Sequence, residues 1–422
     1  MRRHYPLNPA TGVEDVAFLP WTDGNPVAGI DGSFPGQALV TDMEAELVNV
    51  VELSGMTLDG ADKTQLYQAI LRANVITTAV TKTVHGTSPD FADLNAAMAW
   101  LSRYRISTTG SVTFNIRAGK FTYTGSAASV LLRHPDMARV SVQGAAMTGA
   151  FPLYTALSIT GNSAGQRSSD RTANLSNARA LWATELTFAG GAQLTLSGDL
   201  AGFRNILVTG DGASGGNVIT ARGGMQYWMN IAAGIGGGRG ISTAGAVIFL
   251  DGGLLTFGHL GNGYSGELAS LQSVPVGAAA NIIAVGNGSS GVTAASGSYV
   301  GYNGSGSILA SGNVDFGVSA LNNGSINCGA APRADNNTTG FNAQNSSGIG
   351  CDGGTANANT NWGASAVTGA YVTAANLAGS ANGLGPVTAL YGSVIYAVGS
   401  TIAGTASPTY NTTGNGNSYI IK

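Results

Sequence analysis

Residues 317–328, GVSALNNGSINC, and 340–351, GFNAQNSSGIGC, repeat one another at an offset of about 23 residues. Val318 stands over Phe341, Ala320 over Ala343, Asn322 over Asn345, Ile326 over Ile349 and Cys328 over Cys351. In each copy apolar residues alternate, break at a polar Asn/Ser/Gly turn and alternate again, which is the period of strand, turn and strand. Positions 318, 320, 326 and 328 should therefore face one interior. A unit this short cannot bury that face alone, so copies must stack. Short strands joined by Gly/Asn turns at this period predict a parallel β-helix with one copy per rung.

The pattern extends in both directions. Ile219, Ala221, Met225 and Tyr227 align about 22 residues ahead of Ile241, Thr243, Val247 and Phe249, and residues 387–396, VTALYGSVIY, echo the first copy three periods on. Upstream, alternation begins at Val112, Phe114 and Ile116 and continues through Phe121/Tyr123, Val140/Val142, Leu157/Ile159, Leu186/Phe188, Leu194/Leu196 and Ile206/Val208. Residues 110–422 would make roughly a dozen rungs and a rod on the order of 60 Å.

Composition agrees. Charged residues are 10%, hydrophobic residues 44%, and 64 of 422 residues are Gly. No stretch approaches the roughly 18 consecutive apolar residues of a spanning helix, so no membrane insertion is expected. A formal net charge of -3 without a Lys/Arg cluster argues against nucleic acid. The amino terminus has two arginines but no apolar run behind them, and does not look like a secretory signal. Cys328 and Cys351 fall on adjacent rungs, close enough for a disulfide or for a stack of buried free thiols.

Before the repeats come three segments. Residues 1–38 carry Pro6, Pro9, Pro20, Pro26 and Pro35 and predict an extended arm. Thr41 to Glu44 forms a capping box ahead of a helix over about 42–53 with Met43, Leu47, Val50 and Val51 on its apolar face. Asp59 would cap a second helix with Leu66, Ala69, Ile70 and Ala73 as its buried stripe. Arm and hairpin make a unit over 1–75. Residues 76–109 read as a linker and a helix starting at Ser88-Pro89-Asp90, with Phe91, Leu94, Ala97, Met98 and Leu101 as its stripe, placed to close the open end of the solenoid. The expected fold is mainly β, a right-handed parallel β-helix over 110–422 behind the arm, hairpin and capping helix.

Phe34-Pro35-Gly36 through Leu47, Val48 and Asn49 to Gly55-Met56-Thr57, with Thr64-Gln65-Leu66-Tyr67-Gln68-Ala69-Ile70, resembles the particle-attachment region of bacteriophage tail fibres. Asp90 to Leu94, Ala96-Ala97-Met98, residues 112–123 and His134-Pro135 before Val140 to Gly144 resemble the first rungs of pectate-lyase-like tailspikes. The resemblance implies a homotrimer in the virion, assembled in the host cytoplasm. It would dock on tail or baseplate proteins through Phe34, Pro35, Gly36, Leu47, Gln65, Leu66 and Ile70, and its β-helix would contact a host surface receptor or glycan. Spikes of this kind include polysaccharide lyases and glycoside hydrolases, so a depolymerase is the alternative; an autotransported bacterial adhesin is a third reading. No separate carboxy-terminal domain is visible, because the strand pattern runs on to Tyr419-Ile420-Ile421.

A glycosidase needs two carboxylates roughly 5–10 Å apart. The nearest grouping in the sequence is Asp251, His259 and Glu267, within about one rung, although turn aspartates and surface histidines are common without catalysis. Asp335-Asn336-Asn337 and Asp352 offer oxygen ligands without calcium-loop spacing, so neither metal nor cofactor is expected. For sugar binding, alternation turns Phe249 and Phe341 inward and Tyr299 outward, and sets Trp228 and Trp362 beside turns, as glycan contacts or as packing at rung edges.

Overall fold

The structure is a computed structural model and describes residues 5–8, 11–15, 25, 27, 37–54, 56–152, 154–213, 215–273, 281–302, 306–402 and 418–421. Two compact units emerge, residues 1–76 and 77–422.

In the first unit most of the expected arm lies outside the described residues; within it Leu7 bridges Glu14 in antiparallel fashion. Helix α1 spans Gln37–Leu53 and α2 spans Gln65–Ala73. Both start away from the predicted caps. Residues 38–40 contain no helix breaker, so α1 begins before the Thr41 box. Asp59 and Asp62 accept instead from the backbone N–H of Ala61 (2.9 Å) and Thr64 (2.8 Å), building turns that delay α2. The apolar stripes also differ from expectation. Val51 and Ala69 are buried, but Met43, Leu47, Val50 and Ile70 are exposed, because a nine-residue α2 is too short to cover them.

The second unit is a solenoid of parallel strands gathered in sheets of thirteen, ten and seven. One rung places Ile241–Ala244 in the ten-stranded sheet, Val247–Leu250 in the thirteen-stranded and Leu254–Phe257 in the seven-stranded, and Tyr264–Glu267 opens the next. The repeat register is the strand register: Val318 pairs Phe341, Ala320 pairs Ala343, and Ile326 pairs Ile349. The earlier pairing of 219, 221, 225 and 227 with 241, 243, 247 and 249 holds as well. Asn345 lies over Asn322, its Nδ2 donating to Oδ1 at 2.8 Å, both in the left-handed region. Cys328 and Cys351 are buried free thiols.

One part of that alignment is inverted. Met225, Tyr227, Val247 and Phe249 face outward, and Gln226, Trp228, Ile248 and Leu250 fill the core. Inward Ala320 is followed by inward Ile326 six positions on, whereas inward Ala221 is followed by inward Gln226 after five. A turn one residue shorter reverses which face each side chain takes.

The solenoid also starts earlier than its clearest alternation, since Ala79–Val84, in the stretch expected to be linker, pairs with Ser111–Ile116. Helix α3 spans Leu94–Leu101 with Asp93 as its cap, accepting from Ala96 N–H at 2.8 Å. The predicted start at Ser88 to Asp90 fails because the Asp90 carboxylate turns back to Thr83 N–H (2.7 Å) and Lys82 (3.1 Å). Leu94, Ala97, Met98 and Leu101 are buried as expected.

Residues 144–183 depart from the solenoid altogether. They carry α4, Ala164–Leu181, opened by a Ser163/Gln166 capping box. Leu157 to Ile159, expected as a strand, is an extended segment held by α4: Asn174 bonds both backbone groups of Ser158, and Asp170 accepts from Ser158 Oγ and Thr160 N–H. The insertion covers the outer face of the seven-stranded sheet, where Leu207, Ala232, Leu255 and Ile283 form one column against Ala178 and Trp182. Each fully buried Leu or Ile there contributes about 1.5–3 kcal/mol.

Candidate functional site

Asp251, His259 and Glu267 are close in sequence and separated in space by the rung. Asp251 follows the thirteen-stranded sheet, His259 the seven-stranded, and Glu267 ends a strand of the ten-stranded, so they sit at three successive corners. Glu267 is bound to Arg239 at 2.8 Å. His259 is 1% exposed. Its Nδ1 accepts from Gly236 N–H (2.9 Å), which leaves the proton on Nε2 to donate to the Ala233 carbonyl (3.0 Å). Burial pushes its pKa down to about 4. Both ring nitrogens are committed, so the imidazole is a structural part.

The structure His259 belongs to is a ladder. His259 N–H donates to Asn287 Oδ1, and Asn287 Nδ2 donates to Asn313 Oδ1 (2.9 Å), then Asn313 to Asn337 (3.0 Å), Asn337 to Asn359 (3.3 Å) and Asn359 to Asn382 (2.9 Å). Each oxygen also takes a backbone N–H of the preceding ladder residue, as Asn337 Oδ1 does from Asn313 N–H at 2.9 Å. Gly263, Gly291, Gly317 and Gly340 stand beside it, where an added Cβ would come within 2.8–3.1 Å of an Asn Nδ2.

Most carboxylates of this unit are likewise engaged. Asp136 holds Arg105 through two hydrogen bonds (2.8 and 3.0 Å) and sits at about pKa 2 mainly because of it. For Glu185 burial works upward, but the fork of Arg179 (2.8 and 2.9 Å) and Thr209 outweigh it and hold the carboxyl below its ordinary value. Asp352 accepts from Ala375 N–H at 2.7 Å. Among the described residues no group of three or more His, Cys, Asp or Glu is placed to hold a metal.

A concavity of about 700 Å³ lies at the first rung, beside His85. His85 stacks on Phe121 (4.1 Å between ring centroids), and its Nε2 is 2.7 Å from the Tyr123 hydroxyl, which also accepts from Leu94 N–H at 3.2 Å. Burial lowers the His85 pKa and raises that of Tyr123. The pair ties the start of α3 to the first rung.

The outward face of the thirteen-stranded sheet is different in kind. One column of partner positions runs Met225, Val247, Ser270, Tyr299, Ser325, Gly348, Tyr371, Val394, Tyr419. Beside it Tyr227 stacks on Phe249 at 5.1 Å, and Tyr396 is exposed. Two tyrosines lie over glycines: a Cβ on Gly301 would be 2.1 Å from Tyr299 Oη, and one on Gly348 would be 2.2 Å from Tyr371 Cζ. The missing side chains let those rings lie against the sheet with Tyr371 53% exposed. Tyr299 and Tyr371 are three rungs apart, roughly 14 Å.

Of the sequence candidates, then, Tyr299 is on this face. Trp228 is in the core, 1% exposed, with Nε1 donating to Gln226 at 3.2 Å, so it meets no outside ligand. Trp362 is half-buried on the ten-stranded sheet against Gly385. Phe341 is inward as expected; Phe249 is not. In the first unit Leu47 and Ile70 are exposed, Leu66 is half-buried, and Gln65 bonds Thr57 O and Asp59 N–H; Phe34, Pro35 and Gly36 lie outside the described residues. Tyr371 and Tyr419 were missed, although stepping the repeat from Tyr299 leads to both.

No protein-family model and no curated protein matches the sequence. Among solved structures the chain is similar to the A-module of Azotobacter vinelandii mannuronan C-5 epimerase AlgE4, at 11% identity over 78% of this chain and 94% of that one, with a TM-score of 0.36. It is also similar to the catalytic domain of a GH87 α-1,3-glucanase in complex with nigerose, at 11% identity over 82% of this chain and 68% of that one, with a TM-score of 0.28.

Proposed function

We propose that the chain is a subunit of a phage tail fibre or tailspike that binds a host surface glycan along the outward face of its thirteen-stranded sheet, without cleaving it. The observation that carries this reading is one outward column that holds Tyr299, half-buried, and Tyr371 and Tyr419, exposed, the first two over glycine. Flat aromatic faces among hydroxyls and amides stack on the apolar faces of sugar rings while neighbouring polar groups fix orientation. Binding is favoured over hydrolysis by the engagement of the carboxylates and of His259 in turns and ladders.

The first unit would dock on the tail or baseplate. Val40, Met43, Leu47 and Val50 on α1 are exposed at spacings of three, four and three, the seam of a coiled coil, which supports a homotrimer held through this helix. Leu47→Glu should then convert the trimer to monomer in sedimentation, and an unchanged trimer would remove α1 from the interface.

The test of the whole reading is particle binding. Deleting residues 1–75 should abolish incorporation into virions while leaving the solenoid folded, and incorporation of the deleted chain would contradict the docking role. Purified protein should bind bacterial surface polysaccharide and release no new reducing ends or unsaturated uronates; sustained release would make it a depolymerase.

A further inference from the structure

The outer column of the seven-stranded sheet changes character where the insertion stops covering it. It runs Leu207, Ala232, Leu255, Ile283, Leu309 by strand register and continues by single bridges to Arg333 and Thr355. The first four are buried under α4 and Trp182. At Leu309 the cover ends, and a groove of about 480 Å³ opens between Tyr154 and Thr155 of the insertion and Leu309, Pro332, Arg333 and Thr355 of the solenoid. That volume is within the range of about 300–1,000 Å³ typical of small-molecule sites.

Arg333 is held as a tool rather than left as a surface charge. Its Nε is bound to Asp335, which is 3% exposed, and its guanidinium lies 4.8 Å from the centre of the Tyr154 ring. Asp335 is fixed in turn: its Oδ1 accepts from Asn357 N–H (2.7 Å) and Nδ2 (3.1 Å), and its own N–H donates to Ser311 Oγ (3.1 Å). Ser311 Oγ also meets the Tyr154 hydroxyl, 157 residues away in sequence, so the network joins the insertion to the solenoid. Burial raises the Tyr154 pKa to about 12, and the ring stays neutral. The guanidinium spends only Nε on the protein. Among the described residues its two Nη groups have no hydrogen-bond partner, and the side chain is 44% exposed.

We propose that this groove is a subsite for the carboxylate of an acidic sugar, a hexuronate within an anionic polysaccharide. A carboxylate accepts two parallel hydrogen bonds from a guanidinium edge, and that edge is what Arg333 offers. Tyr154, Leu309 and Pro332 supply apolar walls for the ring carbons, and Thr155 and Thr355 supply hydroxyls. The groove lies on a different sheet from the tyrosine face, so the proposal goes beyond the glycan-binding reading and rests on it only for the source of the sugar.

The test is calorimetric titration of the full chain with tetramers of galacturonate and with the same tetramers after carboxyl reduction to galactose. The uronate should bind about tenfold tighter or better, the range of charge-assisted hydrogen bonds. Arg333→Gln should bring the two within about twofold, and Arg333→Lys, which keeps the charge but loses the fork, should fall between. Should the Gln variant lose its melting transition, the Lys variant and the shift of the ¹⁵N Arg333 Nε resonance on adding galacturonate to wild type decide. Equal affinities in wild type, or an undiminished uronate preference in a folded Gln variant, would overturn the subsite. If the preference stands but bacterial surface polysaccharides do not bind, the subsite survives and the host-surface reading falls; if those polysaccharides bind through Tyr371 with no uronate preference, the reverse holds.

Discussion

The asparagine ladder and the tyrosine face are built by the same device, one residue type returning to one place on successive rungs, yet they do opposite things. In the ladder, Asn287, Asn313, Asn337 and Asn359 are buried and Asn382 half-buried, and their amides bond to one another. On the tyrosine face, Tyr371 and Tyr419 are outside, 53% and 41% exposed. Repetition alone therefore does not distinguish stability from function. Whether the repeated group is buried within the molecule or presented to solvent does.

The sharpest way to break the ladder is at its middle. Asn337→Leu would leave the buried Asn313 N–H without its acceptor, take the side-chain donor from the Ala310 carbonyl, and remove one of two partners from each of Asn313 Nδ2 and Asn359 Oδ1. Chemical unfolding should show a loss of about 3–5 kcal/mol, since each stranded buried group costs about 1–3 kcal/mol and neighbours relax in part. A loss below about 1 kcal/mol would mean the ladder contributes little.

The next effect is acid sensitivity through His259. Its folded pKa of about 4 lies below its unfolded value near 6.5, so the fold prefers the neutral ring. That preference is fully present above pH 6.5 and is lost as pH falls toward 4, on the order of 3 kcal/mol in all. His85, lowered by burial, acts in the same direction, while Asp90 and Asp136, held at about 2, act only below about pH 4. His259→Asn supplies a ladder residue that does not titrate, so its stability should vary with pH distinctly less than wild type across that window. Unchanged pH dependence in this variant would place the titration elsewhere.

The tyrosine face should give the smallest response in stability. Tyr371→Ala lies on an exposed surface and should change unfolding by less than about 0.5 kcal/mol. Cys328 and Cys351 provide a control inside the solenoid: burial raises both thiol pKa values, and neither should react with a thiol reagent until the protein unfolds.

The register of the solenoid was legible because Val318/Phe341 and Ile326/Ile349 repeat with almost no drift. The direction in which side chains point was not legible at 225–228 and 247–250, where MQYW and VIFL carry apolar residues in both phases and a one-residue change in the turn decides. The ladder left a trace that was not used: Asn and Gly recur together at 287/291, 313/317, 337/340 and 359/363. Helix α4 left almost none, because its apolar contact with the sheet is confined to Leu175, Ala178, Leu181 and the following Trp182 amid polar residues. Arg333 was visible only as one arginine among several, since its setting depends on Tyr154 from a distant segment.

The account's central claim is that the outward tyrosines bind glycan and that the chain does not cut it. The most direct measurement is to titrate wild type and Tyr371→Ala with bacterial surface polysaccharide while assaying the same samples for new reducing ends. The account predicts saturable binding by wild type, weakened at least about tenfold in the folded variant, as expected for a central aromatic contact, with no reducing ends from either. Undiminished binding by the variant, or steady production of reducing ends by wild type, would contradict it.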